Sequence, residues 1–549
     1  MLSQPGERDR GEAVLVLARR VYTLDATRPY ATAILIQRGR VAVVGTGRAL
    51  SVARSRASRV IDLGDAIVTP GLVDCHTHFF YWSLQRALVI DVRPARSREA
   101  ALELLRRGAK SRRVGEWVLG WGFQASVWDT GLPTAADLDG ALPGVPVLVR
   151  SNDGHTGWLS SEALRRFGIT RETPAPPGGS YDRDTHGNLT GILREAAILH
   201  LADPLVEFAR RTDALATRTV DRALADAYDA ARRCGLVSIH SMDDGVSFGH
   251  LLRHRQAGLL GLRVVHAIPL AELDAALRLG LRSGLGDSWF RVGGVKIFSD
   301  GSLGSQTAVM FDAYPGRPGY CGQSVVWGDE LRDRFRQLAA GGFAAWVHAI
   351  GDRAVHEVAS LLASRSAAAG RHWPRPAMPD RIEHTQCIRA RDARRMARAG
   401  IVASVQPCHM LGDIEIVGRH WPRAQRDAYP LRRLLDAGVV LAGGSDVPVE
   451  SIDPRRSLYA AAVRISEAGE PPGGWYPDQR LHAGETLLAF TRGAAHASGG
   501  LNGPGALCPG APADLTVWDE NPVTAEPEAL LTLPIRGVFI DGEPYLAGP

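Results

Sequence analysis

Thr69-Pro-Gly-Leu-Val-Asp-Cys-His76-Thr-His78 leaves a turn dipeptide, runs through a mainly apolar stretch and ends in two histidines one residue apart. Side chains of an extended strand alternate between faces, so positions 76 and 78 project to the same side. A strand finishing in two such imidazoles suits a β/α barrel, where the residues at C-terminal strand ends line the reaction site. Seven further runs of β-branched and apolar character follow: Leu236 to Ser241, Leu262 to His266, Val292 to Phe298, Phe343 to His348, Arg381 to His384, Ile401 to Gln406 and Val439 to Ser445. With the first they make eight, the number that closes such a barrel. Glu330 to Ala340, Asp352 to Ala369 and Ala390 to Ala399 repeat apolar residues at helical spacing between them, the alternation expected of a parallel sheet.

The gap between the first and second runs is too long for one helix. It carries Trp117 to Trp121, Val145 to Arg150, the Pro/Gly-rich Thr173 to Ser180 and Gly187-Asn-Leu-Thr-Gly191, which predicts an inserted lid subdomain over about residues 110–200. Residues 13 to 68 read as strands and turns, as do Ala513-Asp-Leu-Thr-Val-Trp518 and Gly537-Val-Phe-Ile-Asp541, and neither set can build a stable sheet alone. The expected architecture is α/β: a (β/α)8 TIM-like barrel over 69–490, a small β-sandwich built jointly from 1–68 and 491–549, and the insertion after strand one.

Composition narrows the class. A formal charge of +5 is small for 549 residues, and arginines alternate with acids, as in Arg391-Asp-Ala-Arg-Arg395, so nucleic acid is not an expected partner. Cysteines 75, 234, 321, 387, 408 and 508 are scattered without a Cys-x-x-Cys pair, which fits a reducing, cytoplasmic setting better than a disulfide framework. The start, Met1 to Arg10, lacks the apolar stretch of a signal peptide, and no run approaches a membrane span. A small-molecule substrate is the expected partner, with a homodimer left open.

Of 64 basic residues only two are lysines. Lys110 sits in a solvated basic stretch, but Lys296 interrupts the apolar run Val292 to Phe298, where a lone charge is costly unless paired or coordinated. Unlike a guanidinium, a buried amine can be neutralised and then modified, for example by CO2, to a carbamate whose two oxygens bridge metal ions. Metal ligands should then stand at other strand ends. His348 and His384 end the fifth and sixth runs, and Asp446 follows the eighth in Leu441-Ala-Gly-Gly-Ser-Asp446. A carboxylate there can bind a metal and handle the proton of a nucleophilic water.

The set His76, His78, Lys296, His348, His384 and Asp446, on strands one, four, five, six and eight, resembles the metal-dependent amidohydrolase superfamily. Lys296-Ile-Phe-Ser-Asp-Gly-Ser-Leu-Gly-Ser-Gln-Thr307, His348-Ala-Ile-Gly-Asp-Arg-Ala354, Ile382-Glu-His-Thr-Gln386, Ala403-Ser-Val-Gln-Pro407 and Gly444-Ser-Asp-Val-Pro-Val-Glu450 are similar to its amidohydrolase-3 branch, which includes N-substituted formamide deformylases. The resemblance implies one or two zinc ions, Lys296 N-carboxylated where it bridges two, and hydrolysis of an amide-type C–N bond by a metal-activated hydroxide with Asp446 as general base and acid. Cyclic amides, carbamates and lactones would use the same ligands. A deaminase would add a His-x-x-Glu shuttle that His348-Ala-Ile-Gly-Asp352 lacks, and a non-catalytic scaffold fits poorly with a complete ligand set. His155 and Trp158, in Asn152-Asp-Gly-His-Thr-Gly-Trp158, are expected to contact substrate. Ser302, Arg353 and Gln406, with Asp300, sit just past strand ends and are expected to orient ligands or substrate, the first three as substrate contacts; ordinary loop capping is the competing explanation. Tyr81, Trp82, Trp121 and Trp158 are candidates for an apolar pocket or for packing within the insertion. His240 and His266 face the same rim as structural or substrate-adjacent residues, and Cys75 and Cys408 are candidates for adventitious metal binding or oxidation.

Overall fold

A computed structural model describes residues 13–546 except 124–127, 129–130, 152–153, 155, 177–178, 200, 371–374, 501–502 and 504. All eight expected runs are strands of one parallel sheet: β1 (Leu72–Thr77), β2 (Leu236–Ser241), β3 (Arg263–Pro269), β4 (Phe290–Phe298), β5 (Ala345–Ala349), β6 (Arg381–His384), β7 (Val402–Val405) and β8 (Leu441–Gly443), in sequential order. The seam between first and last strands is closed at its C-terminal end. There the His78 amide donates to the Val447 carbonyl at 2.8 Å and the Asp446 amide to the His76 carbonyl at 2.7 Å. Gly444 permits that approach, because a Cβ at this position would stand 2.8 Å from the backbone nitrogen of His76.

Helices α1 (Gly328–Gly341), α2 (Asp352–Ala368) and α3 (Ala390–Ala399) follow β4, β5 and β6. Their apolar stripes, including Leu331, Phe335, Val355, Leu362 and Met396, close over the outer faces of Val295, Val347, Ile382 and Ala403 in one buried cluster. The barrel interior is filled from below by Trp346, whose ring lies against Gly293 and Gly294, where added Cβ atoms would come within 2.4 and 2.5 Å of it. The Arg381 guanidinium stacks on the other side of this layer, 3.5 Å from the Trp346 ring centre.

Both chain ends enter one further sheet, in the order Glu543–Leu546, Ile535–Ile540, Leu515–Trp518, Ile67–Pro70, Ala13–Tyr22, Tyr30–Gln37 and Arg40–Gly45, with Arg59–Asp62 also pairing to Ala13–Tyr22. Ile67–Pro70 continues almost directly into β1, and Leu515–Trp518 pairs with it antiparallel. Arg263 of β3 is buried against Asp514, with Nε to Oδ2 at 2.6 Å, which ties this sheet to the barrel.

The stretch after β1 forms a compact unit of its own, Phe80–Ala227. Its six-stranded sheet runs Gly179–Arg183, Leu189–Glu195, Thr156–Leu159, Val147–Ser151, Val118–Phe123 and Val89–Asp91. Ile90, Leu105, Val118, Val147 and Trp158 share its core. Among the described residues no helix is long and apolar enough to cross a membrane.

Candidate metal centre

The mouth of the barrel gathers the ionisable groups that the strand ends carry. His76, His384 and Asp446 each offer one ligand atom, all within 4.8 Å of one another. Asp446 Oδ1 lies 3.4 Å from His76 Nε2 and 3.5 Å from His78 Nε2. Lys296 Nζ is 3.3 Å from His76 Nε2. The His348 and His384 ring centres are 4.6 Å apart, and those of His384 and His76 are 4.8 Å apart. All six side chains of the expected ligand set therefore share one site.

Two of them reach it through unusual backbone. Strand alternation would send the neighbours Glu383 and His384 to opposite faces, yet both point inward because His384 adopts φ 70° and Thr385 φ 46°. Asp446 sits at φ 59°. Left-handed conformations of non-glycine residues cost of order 1–3 kcal/mol and persist where the surroundings enforce them, most often at functional sites.

Each histidine also has one ring nitrogen engaged by a protein oxygen. His76 Nδ1 bonds Glu383 Oε2 at 2.7 Å, His78 Nδ1 bonds Asp243 Oδ1 at 3.2 Å, and His384 Nδ1 bonds Gln406 Oε1 at 2.9 Å. His348 uses Nε2, 3.1 Å from the carbonyl of Gly301. A ring that donates from one nitrogen carries its lone pair on the other, the form a divalent cation requires. Burial, reinforced by the nearby Lys296 charge, holds His76 and His384 well below the ordinary imidazole value and His348 down to about 3, so these rings stay neutral. Burial likewise pushes the Lys296 ammonium down to about 8. The neutral nitrogens of His76, His348 and His384 with the Asp446 carboxylate make a donor set that fits a borderline metal such as zinc, while His78 is instead raised, burial being outweighed by its bond to Asp243.

Beneath the ligands lies a layer that strand periodicity alone did not single out. Arg381 and Glu383, both fully buried, pair through Arg381 Nε, while Arg381 Nη1 donates to His240 Nδ1 at 2.9 Å and Nη2 to the Cys75 carbonyl at 3.2 Å. Glu383 remains below the usual carboxyl range although burial opposes it, because Arg381 and Lys296 stand close. The available signal was two opposite charges at i, i+2 inside an otherwise apolar strand. Asp243, two residues beyond β2 and bonded to Ser241 Oγ at 3.0 Å, belongs to the same supporting set.

The weaker candidates separate clearly. Gln406 is buried, and its Oε1 bonds His384 Nδ1 at 2.9 Å, so it orients that ring. Asp300 accepts from the amides of Val309, Ile350 and Gly351 at 2.9, 3.1 and 2.9 Å, a loop clasp. Ser302 is exposed and bonds Ser305 Oγ at 2.8 Å, and Arg353 is also exposed. Trp158 is wholly buried in the core of the 80–227 unit, with its indole N–H donated to the Thr134 carbonyl at 2.7 Å, so packing accounts for it and the expected substrate contact does not. Tyr81, Trp82 and Trp121 belong to the same unit. His155 lies outside the described residues. His240 stacks on Trp346, and His266 bonds the Ala267 carbonyl and Ser247, so both are structural. Burial pushes the Cys75 and Cys408 thiols up, which disfavours the thiolate that metal binding or oxidation needs.

Comparison with known proteins agrees with this geometry. A model of the amidohydrolase family, Amidohydro_3, matches residues 59–545. Protein LONG AFTER FAR-RED 3 of Arabidopsis thaliana is 31% identical over 523 residues, covering 92% of this chain and 88% of that protein. N-substituted formamide deformylase of Arthrobacter pascens is 27% identical over 548 residues, covering 96% and 97%. The crystal structure of an uncharacterized metal-dependent hydrolase from Pyrococcus furiosus superposes with a TM-score of 0.77 at 25% identity, covering 93% of this chain and all of that one. The chain belongs to the amidohydrolase family and is a metal-dependent hydrolase of carbon–nitrogen bonds.

Proposed function

We propose that the protein hydrolyses the C–N bond of a small, non-peptide amide, with N-substituted formamides as the favoured class, and that its metal is zinc. The observation that carries this reading is that each of four histidines around Lys296 and Asp446 has one ring nitrogen engaged by a protein oxygen. His76, His78, His348, His384 and Asp446 would hold the metal. A divalent ion there supplies Lewis acidity, polarising a substrate carbonyl and making water nucleophilic near neutral pH.

The chain's own residues do the rest. Asp446 Oδ1 faces the His76 and His78 nitrogens, which leaves its other oxygen to accept the proton of the attacking water and return it to the departing nitrogen. Lys296, buried among the imidazoles, would add CO2 with loss of a proton, replacing a repulsive cation by a carbamate with two oxygens. That anion would give the site the charge to hold a second ion. The likeness to a formamide deformylase favours a small acyl group, and the deaminase reading lacks its glutamate.

The test is an assay of zinc-loaded protein, purified without chelator, against N-substituted formamides, simple amides, carbamates and lactones. Turnover of a formamide or amide is expected, and Asp446→Asn should lower kcat by about 10²–10⁴-fold with zinc content retained. Turnover of lactones alone, or an Asn variant as fast as the parent, would overturn the assignment.

A further inference from the structure

Beyond β7 the chain makes one short turn, Pro407–His409, directly after Gln406 has engaged His384. That turn sets the His409 ring nearly parallel to His384, with centres 6.2 Å apart and planes 26° apart. His409 Nε2 lies 3.8 Å from Asp446 Oδ2. That nitrogen is buried, although the ring is partly exposed, and it has no hydrogen-bond partner among the described residues. The two Asp446 oxygens therefore face different groups, Oδ1 the His76 and His78 nitrogens and Oδ2 the His409 ring. Two other carboxylates lie near enough to feel the His409 charge. Both are already occupied, Asp413 by Gln386 and Tyr429, and Glu450 by Arg456.

We propose that His409 is a positioning residue for Asp446: it donates Nε2–H to Oδ2, keeping Oδ1 turned toward the ligand nitrogens and preventing the carboxylate from presenting both oxygens to the metal. A shift of roughly 1 Å brings the 3.8 Å separation to hydrogen-bond length. The inference rests on the metal-centre reading above, and its test keeps the two failures apart.

The full chain, loaded with Co2+ in place of zinc, gives a visible absorption spectrum that reports the coordination of Asp446 without requiring turnover. His409→Phe retains a ring but removes the donor, and His409→Gln returns an N–H near the position of Nε2. The Phe variant is expected to bind cobalt stoichiometrically with a changed band intensity and position, and to lower kcat about tenfold or more with KM little affected for whichever substrate is turned over. The Gln variant is expected to restore both. If His409→Phe does not fold, His409→Asn substitutes for it, since its shorter amide stops short of Oδ2, and the same change is expected. A parental spectrum in the donorless variant, or a Gln variant as altered as Phe, overturns the role of His409 alone. Failure of the unsubstituted chain to take up cobalt overturns the metal-centre reading itself.

Discussion

Glu383 illustrates how a single side chain outside the ligand set governs it. Its carboxylate fixes the His76 tautomer from one side and neutralises Arg381 from the other, all at zero exposure. Glu383→Gln retains the shape but loses the charge, and zinc affinity should fall by about 10–100-fold, measured by competition with a chromogenic chelator. Affinity equal to the parent would show that the bond to His76 does not matter. A second expectation concerns Lys296: protein incubated with 13C-bicarbonate should develop a carbamate carbonyl signal. At a fixed concentration of dissolved 13CO2 the signal should form faster as pH rises through about 8, because burial lowers the amine to that value and only the neutral form adds CO2. At this scale the side chains that meet at the mouth were legible, since each histidine and Asp446 stood at or just past the end of an expected strand. The supporting acceptors were not, because Asp243, Gln406 and the Gly301 carbonyl meet their histidines through tertiary contacts, and the positive φ of His384 has no signature in composition.

The elements owe their placement to two glycine contacts of opposite consequence. Gly294 admits the Trp346 ring in the lower barrel layer, and Gly444 admits β1 beside β8 at the mouth. Gly294→Ala should cost about 1–3 kcal/mol by overpacking, read from urea denaturation, while zinc binding survives. Gly444→Ala should cost a similar amount and weaken zinc binding as well, since its Cβ would press on the backbone of His76. Equal zinc affinity in the two variants would argue against closure setting the site. All eight strands and three of the helices were foreseeable from periodicity, to within a few residues at each end. Lys296 was visible as a charge inside an apolar strand, whereas the inward return of Glu383 and His384 together breaks the alternation on which such reading depends.

The whole molecule combines a barrel, a sheet assembled from both chain ends, and a separately compact unit between residues 80 and 227. Arg263 and Asp514 join the first two in buried surroundings, so Asp514→Ala should destabilise the fold, though by less than the roughly 3–5 kcal/mol of a fully unpaired buried charge, because Asp541 Oδ1 remains 3.2 Å from Arg263 Nη2. Zinc at a hundredfold excess over its Kd should stabilise the folded state by about 2.7 kcal/mol, and hydrogen exchange would locate the effect. Chelation should expose amides at the ends of β1, β6 and β8 and leave Val147–Ser151 unchanged, because none of the six ligands lies in the inserted unit. The meeting of the chain ends was foreseeable because neither set of strands could form a sheet alone. The internal order of the inserted sheet was not, since its strands are short and irregularly spaced.

The seam between β1 and β8 fixes when this protein can become active. His76 and His78 precede the other seven barrel strands in the chain, yet the carboxylate beside them, Asp446, and the Val447 carbonyl that holds β1 in register are synthesised only after all eight strands. A nascent chain stalled before residue 446 carries several imidazoles but no finished cage. The six side chains can therefore meet only once the chain has been made past residue 446, and a fragment that ends earlier lacks the carboxylate of the site.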